Sequence, residues 1–180
     1  MKKIFILCIA LLLSFSCTYP ISKQLRSEAQ KDNLEFPGVL ADPSPSKGKT
    51  ALWGGRIIEA INTKEGTDII ILETPLDFTG VPESAQSSRG RFIARSAKFL
   101  DPAVYSPERE ITLAGEIAGA EERSLGNVTY RYPVVLVKEL YLWEKYYPST
   151  GWYSPWYGGP GPYYEPVYIY RNYYPSEHRR

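Results

Sequence analysis

The chain has two cysteines and a single histidine. Cys8 lies in the apolar stretch 4–13, which follows Lys2-Lys3, and Cys17 comes directly after Ser14-Phe15-Ser16. A basic start, an apolar run of about ten residues and a small-residue zone make a secretory signal peptide. The run is well short of the roughly 20 residues that a membrane-crossing helix needs. Removal is therefore expected rather than retention as a transmembrane anchor. A cut between Ser16 and Cys17 takes Cys8 away and leaves Cys17 as the first residue of the mature chain and its sole thiol. One cysteine cannot form an intramolecular disulfide, so the core must hold the fold even in a compartment that permits disulfides.

Other chemistry is scarce. His178 stands third from the C-terminus, where no triad or metal cage can be built around it. Zinc spacings, a P-loop, a dinucleotide fingerprint and Gly-x-Ser-x-Gly are all missing. A glycosidase needs only two suitably spaced carboxylates, which brings up Asp77 and Asp101. Each sits in turn-forming sequence, Leu76-Asp77-Phe78-Thr79-Gly80 and Leu100-Asp101-Pro102, where aspartate caps the turn through its own backbone. Glu121-Glu122 read as a solvated loop, and Arg89, Arg91 and Arg95 as one solvated face of a strand. Without Lys2 and Lys3, 19 basic residues face 20 acidic ones, so the charge pattern of a nucleic-acid binder is absent. No catalytic residue, metal or cofactor is expected, and the chain reads as a non-enzyme.

Four segments follow from composition. Residues 1–16 form the signal peptide. Residues 17–49, punctuated by Pro20, Pro37, Pro43 and Pro45 and only weakly helical over 22–30, read as a loose tether. Residues 50–144 alternate short β-type runs with turn chemistry: 51–61 with a bulge or close backbone approach at Gly54-Gly55, 68–74, 89–96, 110–118, and 132–143 after a turn over 119–126. Five strands with uneven loops predict a mainly β domain, a small five-stranded barrel of the oligonucleotide/oligosaccharide-binding type, with a β-sandwich as the competing fold. Residues 145–180 hold ten of the 15 tyrosines together with Trp152 and Trp156. That Tyr/Pro/Gly-rich tail predicts an extended or disordered segment whose aromatic faces suit sugars or membrane interfaces.

Two resemblances add to these readings. Ser16-Cys17 after the apolar run resembles the lipobox of bacterial lipoproteins, although Ser14 and Phe15 depart from the preferred Leu and small residue. The resemblance implies a diacylglyceryl thioether on Cys17, cleavage before it and acylation (palmitate) of the new amine. Two or three chains anchor firmly, at about 0.8 kcal/mol per buried methylene. Trp53-Gly54-Gly55-Arg56-Ile57, Pro75-Leu76-Asp77, Gly90-Arg91-Phe92-Ile93-Ala94-Arg95 with Phe99-Leu100-Asp101-Pro102, Ile111-Thr112-Leu113-Ala114-Gly115, and Tyr132-Pro133-Val134-Val135 with Leu142-Trp143 resemble the Slp family of starvation-inducible outer-membrane lipoproteins. This implies a non-enzymatic, lipid-anchored outer-membrane protein that supports envelope integrity or stress tolerance through binding an envelope partner. Thr18, in place of an aspartate after the cysteine, agrees with outer-membrane sorting. The alternative is a cell-wall saccharide-binding module that uses barrel aromatics together with Trp152 and Trp156.

Overall fold

The computed structural model describes residues 19–144. Ser16, Cys17, the signal peptide 1–16 and the tail 145–180 with Trp152 and Trp156 lie outside the described residues. Five strands, β1 (Thr50–Thr63), β2 (Gly66–Thr74), β3 (Gly90–Ser96), β4 (Glu110–Leu125) and β5 (Val128–Leu142), close into a barrel in the order β1-β2-β3-β5-β4. All neighbours are antiparallel except β3 and β5, which run parallel with Ile93 opposite Val134. Alternation sorts the two faces. Trp53, Ile57, Ile69, Ile71, Phe92, Ala94, Ile111, Leu113 and Ile117 turn inward to one core. Ile93, between Phe92 and Ala94, turns outward and packs with Tyr132 and Val134.

The segment expected to be a loose tether is folded. It forms α1 (Lys23–Asp32), α2 (Phe36–Ala41) and a 3-10 turn at Ser44–Ser46. Phe36 is fully buried, its ring edge-on to Trp53 at 5.0 Å and to Phe92 at 6.1 Å, and Val39 joins the same core. Pro37 starts α2 instead of breaking it, because the first helical turn has no partner for the missing N–H. An Asp32 carboxylate oxygen accepts the Thr50 N–H at 2.6 Å and so fixes the entry into β1. Propensity is weak over 19–49, and what orders these residues is burial of Ile21, Phe36 and Val39 against a surface supplied by distant strands.

Two further expectations change. The turn anticipated over 119–126 is strand: β4 runs on to Leu125, β5 starts at Val128, and Gly126-Asn127 make the hairpin tip. The charged residues that suggested a loop are paired across the ribbon, Glu121 opposite Tyr132, Glu122 opposite Arg131 and Arg123 opposite Tyr130. The irregularity of β1 falls between Ile57 and Glu59, not at Gly54-Gly55. What Gly55 provides is a close backbone approach: its φ is 150°, and a Cβ there would stand 2.0 Å from the Leu72 carbonyl oxygen.

Candidate functional site

The outer face of β1, β4 and β5 is apolar at Leu52, Ala114, Tyr141 and Trp143, and the start of the described chain covers it. Ile21 is 1% exposed there, with Tyr19, Leu25 of α1 and Val81 packed around it. Tyr141 and Trp143 meet edge to face at 4.7 Å. The loop between β2 and β3 folds over the same face, pinned by a bridge between Leu76 and Pro82. Trp143 Nε1–H donates to Thr112 Oγ1 at 2.9 Å, and the Thr112 hydroxyl donates to the Gly80 carbonyl at 2.7 Å. Gly80 has φ 86°, and a Cβ would lie 2.6 Å from the Tyr19 ring; only glycine lets the tyrosine seat on this loop. The N-terminal stretch, the loop and the end of β5 thus meet at one place.

Asp77 builds the loop. Its Oδ1 accepts the Thr79 N–H at 2.8 Å, the Thr79 hydroxyl at 2.7 Å and the Val81 N–H at 2.9 Å. Desolvation pushes its carboxyl upward, but the hydrogen bonds from the Thr79 hydroxyl and from backbone N–H groups outweigh it and hold the group below the ordinary aspartate range. Asp101 does the same work between β3 and β4, with Oδ1 accepting the Ala103 N–H at 2.9 Å. Both residues are turn formers in separate loops. Phe78, at the tip of the first loop, is 92% exposed.

Beside Tyr19 and Trp53 lies an open cleft of about 330 Å³, lined also by Leu76, Thr74, Glu73 and Arg89. Arg89 is exposed, as expected of a solvated face, but it also reaches inward to a buried carboxylate. Its Nε–H donates to Glu73 at 3.1 Å, and Glu73 is 1% exposed. The hydrogen bond to Glu73 raises the Arg89 pKa above its ordinary value, against the opposing effect of burial.

Arg95 and Glu121 depart from the solvated reading. Asp68, 3% exposed, accepts from Arg95 Nε at 2.8 Å and Nη2 at 2.9 Å and from Arg123, and Glu121 bridges the two arginines. A buried carboxylate costs several kcal/mol of desolvation unless it is paired in this way. The Arg95 hydrogen bond holds both carboxyls, Asp68 and Glu121, below their ordinary ranges despite burial. The unfolded chain therefore binds more protons than the folded one in the acid range. Stability from these groups is complete above the ordinary carboxylate pKa values and drains as pH falls through the lowered ones. Urea midpoints measured from about pH 6 down to about pH 3 should fall, and Asp68→Asn should flatten the decline; an equally steep fall in the variant would refute the assignment.

Among the described residues no group of three His, Cys, Asp or Glu side chains could hold a metal ion. No described helix is long and apolar enough to cross a membrane. The sequence carried one signal for the buried pairs, an acidic residue inside each apolar run, Asp68 before Ile69-Ile70-Ile71 and Glu73 after Leu72. The partners, 16 to 55 residues away in sequence, were not legible.

With this geometry in place, the model of the outer membrane lipoprotein Slp family matches residues 15–174, nearly the whole chain. The chain belongs to the Slp family. Similar Slp-type relatives include outer membrane protein Slp of Escherichia coli, 27% identical over 87% of this chain and 91% of its own length. The lipoprotein YeaY of the same bacterium is 30% identical over 84% of this chain and 79% of its own length. A protein of Haemophilus influenzae is 31% identical over 58% of this chain and 59% of its own length. No solved structure matches. As an Slp family member the chain is an outer membrane lipoprotein. The Slp match begins before Cys17 and runs on past Trp152 and Trp156.

Proposed function

We propose that this member of the Slp family is a non-enzymatic lipoprotein seated directly on the outer membrane through Cys17, where it supports envelope integrity or stress tolerance by binding. The observation that carries this reading is the burial of the chain immediately after the cysteine. Pro20 and Ile21 are buried, and Tyr19 is packed on Gly80. Two residues span at most about 7 Å, so acyl chains on Cys17 bring the barrel itself to the bilayer. On this reading residues 1–16 are removed by cleavage between Ser16 and Cys17, residues 17–49 join anchor to barrel, with 19–49 packed as a strap, 50–144 form the barrel, and 145–180 are a tail. The strand order, with its single parallel closure of β3 on β5, supports kinship with oligonucleotide/oligosaccharide-binding barrels.

The saccharide alternative has less support from the barrel, since Trp53 and Trp143 are each only 4% exposed and offer no face for stacking. It would rest on Trp152 and Trp156.

The test is intact mass and membrane fractionation in a Gram-negative host. The wild-type protein should begin at Cys17, carry the mass of acyl chains and sediment with outer membranes. Cys17→Ala should lose both the added mass and the membrane fraction. A soluble, unacylated wild-type protein would overturn the reading.

A further inference from the structure

We propose that the loop between β2 and β3 is a membrane-contact element, with Phe78 inserted among the phospholipids of the bilayer that carries the Cys17 anchor. The proposal rests on the anchoring read above. Its independent observation is a large apolar side chain, 92% exposed, at the tip of a loop that is otherwise held rigidly. Asp77 ties the turn with three hydrogen bonds, Gly80 is held from below by the Thr112 hydroxyl, and Leu76 bridges Pro82. Such a loop cannot fold Phe78 back under cover. A single exposed apolar residue is common on protein surfaces, and Phe99 is 71% exposed as well; what distinguishes Phe78 is its place in the fold.

The place of the loop says which partner. Tyr19 sits on Gly80, two residues along the loop from Phe78, and Cys17 is two residues from Tyr19. A two-residue link reaches at most about 7 Å, so a lipid anchor at Cys17 would hold this loop at the bilayer, with Phe78 against lipid rather than water. Polar chemistry at this face suits headgroup depth. The Arg26 guanidinium lies 4.5 Å over the Tyr19 ring, and the Asp77 charge is satisfied by its own loop. An aromatic ring beside a cation at an interface is a favoured arrangement. Trp143, joined to Gly80 through Thr112, places the end of the described chain at the same face.

Because Cys17 is the only cysteine of the mature chain and its thiol is taken by lipid, a cysteine introduced elsewhere can be labelled uniquely. The acylated protein carrying Phe78→Cys or, as a distal control at the β4–β5 hairpin tip, Asn127→Cys is labelled with an environment-sensitive fluorophore. Each is reconstituted in phosphatidylethanolamine–phosphatidylglycerol vesicles with and without lipids bearing a nitroxide near the headgroup. Floating vesicles should carry both proteins. The label at position 78 should shift to the blue and be quenched several-fold more than that at position 127. Flotation with equal, weak quenching at both positions would overturn the proposal while leaving the anchor intact. A blue shift at position 78 that nitroxide lipids do not quench would assign the loop to a protein contact instead and overturn it too. Failure to float would remove the anchoring reading and this proposal with it.

Discussion

Phe36→Ala should cost about 3–5 kcal/mol of folding stability, the usual range for emptying a fully buried phenylalanine site. The ring is 0% exposed and lies within 5.0 Å of Trp53 and 6.1 Å of Phe92, all three in edge-to-face contact. Its removal both exposes apolar surface to a void and loosens α2 from the barrel. Urea unfolding of a soluble form, lacking residues 1–16 and carrying Cys17→Ser, measures the loss. Phe99→Ala serves as the reference, since Phe99 is 71% exposed and an exposed substitution shifts stability by no more than about 0.5 kcal/mol. Equal, small effects of the two would mean that residues 19–49 are a tether after all.

Gly55→Ala should be at least as damaging, about 4 kcal/mol or more, with loss of soluble protein as its practical sign. The new Cβ would lie 2.0 Å from the Leu72 oxygen, 2.9 Å from the Leu72 carbonyl carbon and 3.0 Å from the Glu73 Cα, all of them backbone atoms. No side chain can swing aside to make room. With φ at 150° an L-residue is strained in addition. Relief requires parting β1 from β2 where Gly55 pairs with Glu73, and Glu73 is the buried partner of Arg89. Gly38→Ala in α2, where nothing lies within 4 Å of the new methyl, should be neutral or slightly stabilising because alanine favours helix. Thermal unfolding of the two variants side by side separates a steric cost from a general intolerance of glycine replacement.

Much of the β architecture was legible before any coordinates. Ile111, Leu113 and Ile117 alternate as a half-buried strand should and face the core. Asp77 and Asp101 sit in local sequences that favour turns, and both hold turns. These features depend on neighbours within a few residues, which is the range over which sequence pattern acts. The loop expected over 119–126 failed for the complementary reason. Arg123 and Glu121 look solvated in sequence, but pairing with Asp68 and Arg95 lets them lie in a strand.

The sequence by itself determined the mainly β class, the number of strands and the Slp resemblance, because each is written in residue type and short-range spacing. Tertiary structure alone decided that the sheet closes by setting β3 parallel to β5, that Arg89 and Arg95 neutralise Glu73 and Asp68, and that residues 19–49 pack as a strap. Those outcomes rest on contacts between segments tens of residues apart. Phe36, Val39 and Ile21 carry no periodic signal of their own and become buried only because the barrel presents them with an apolar surface to cover.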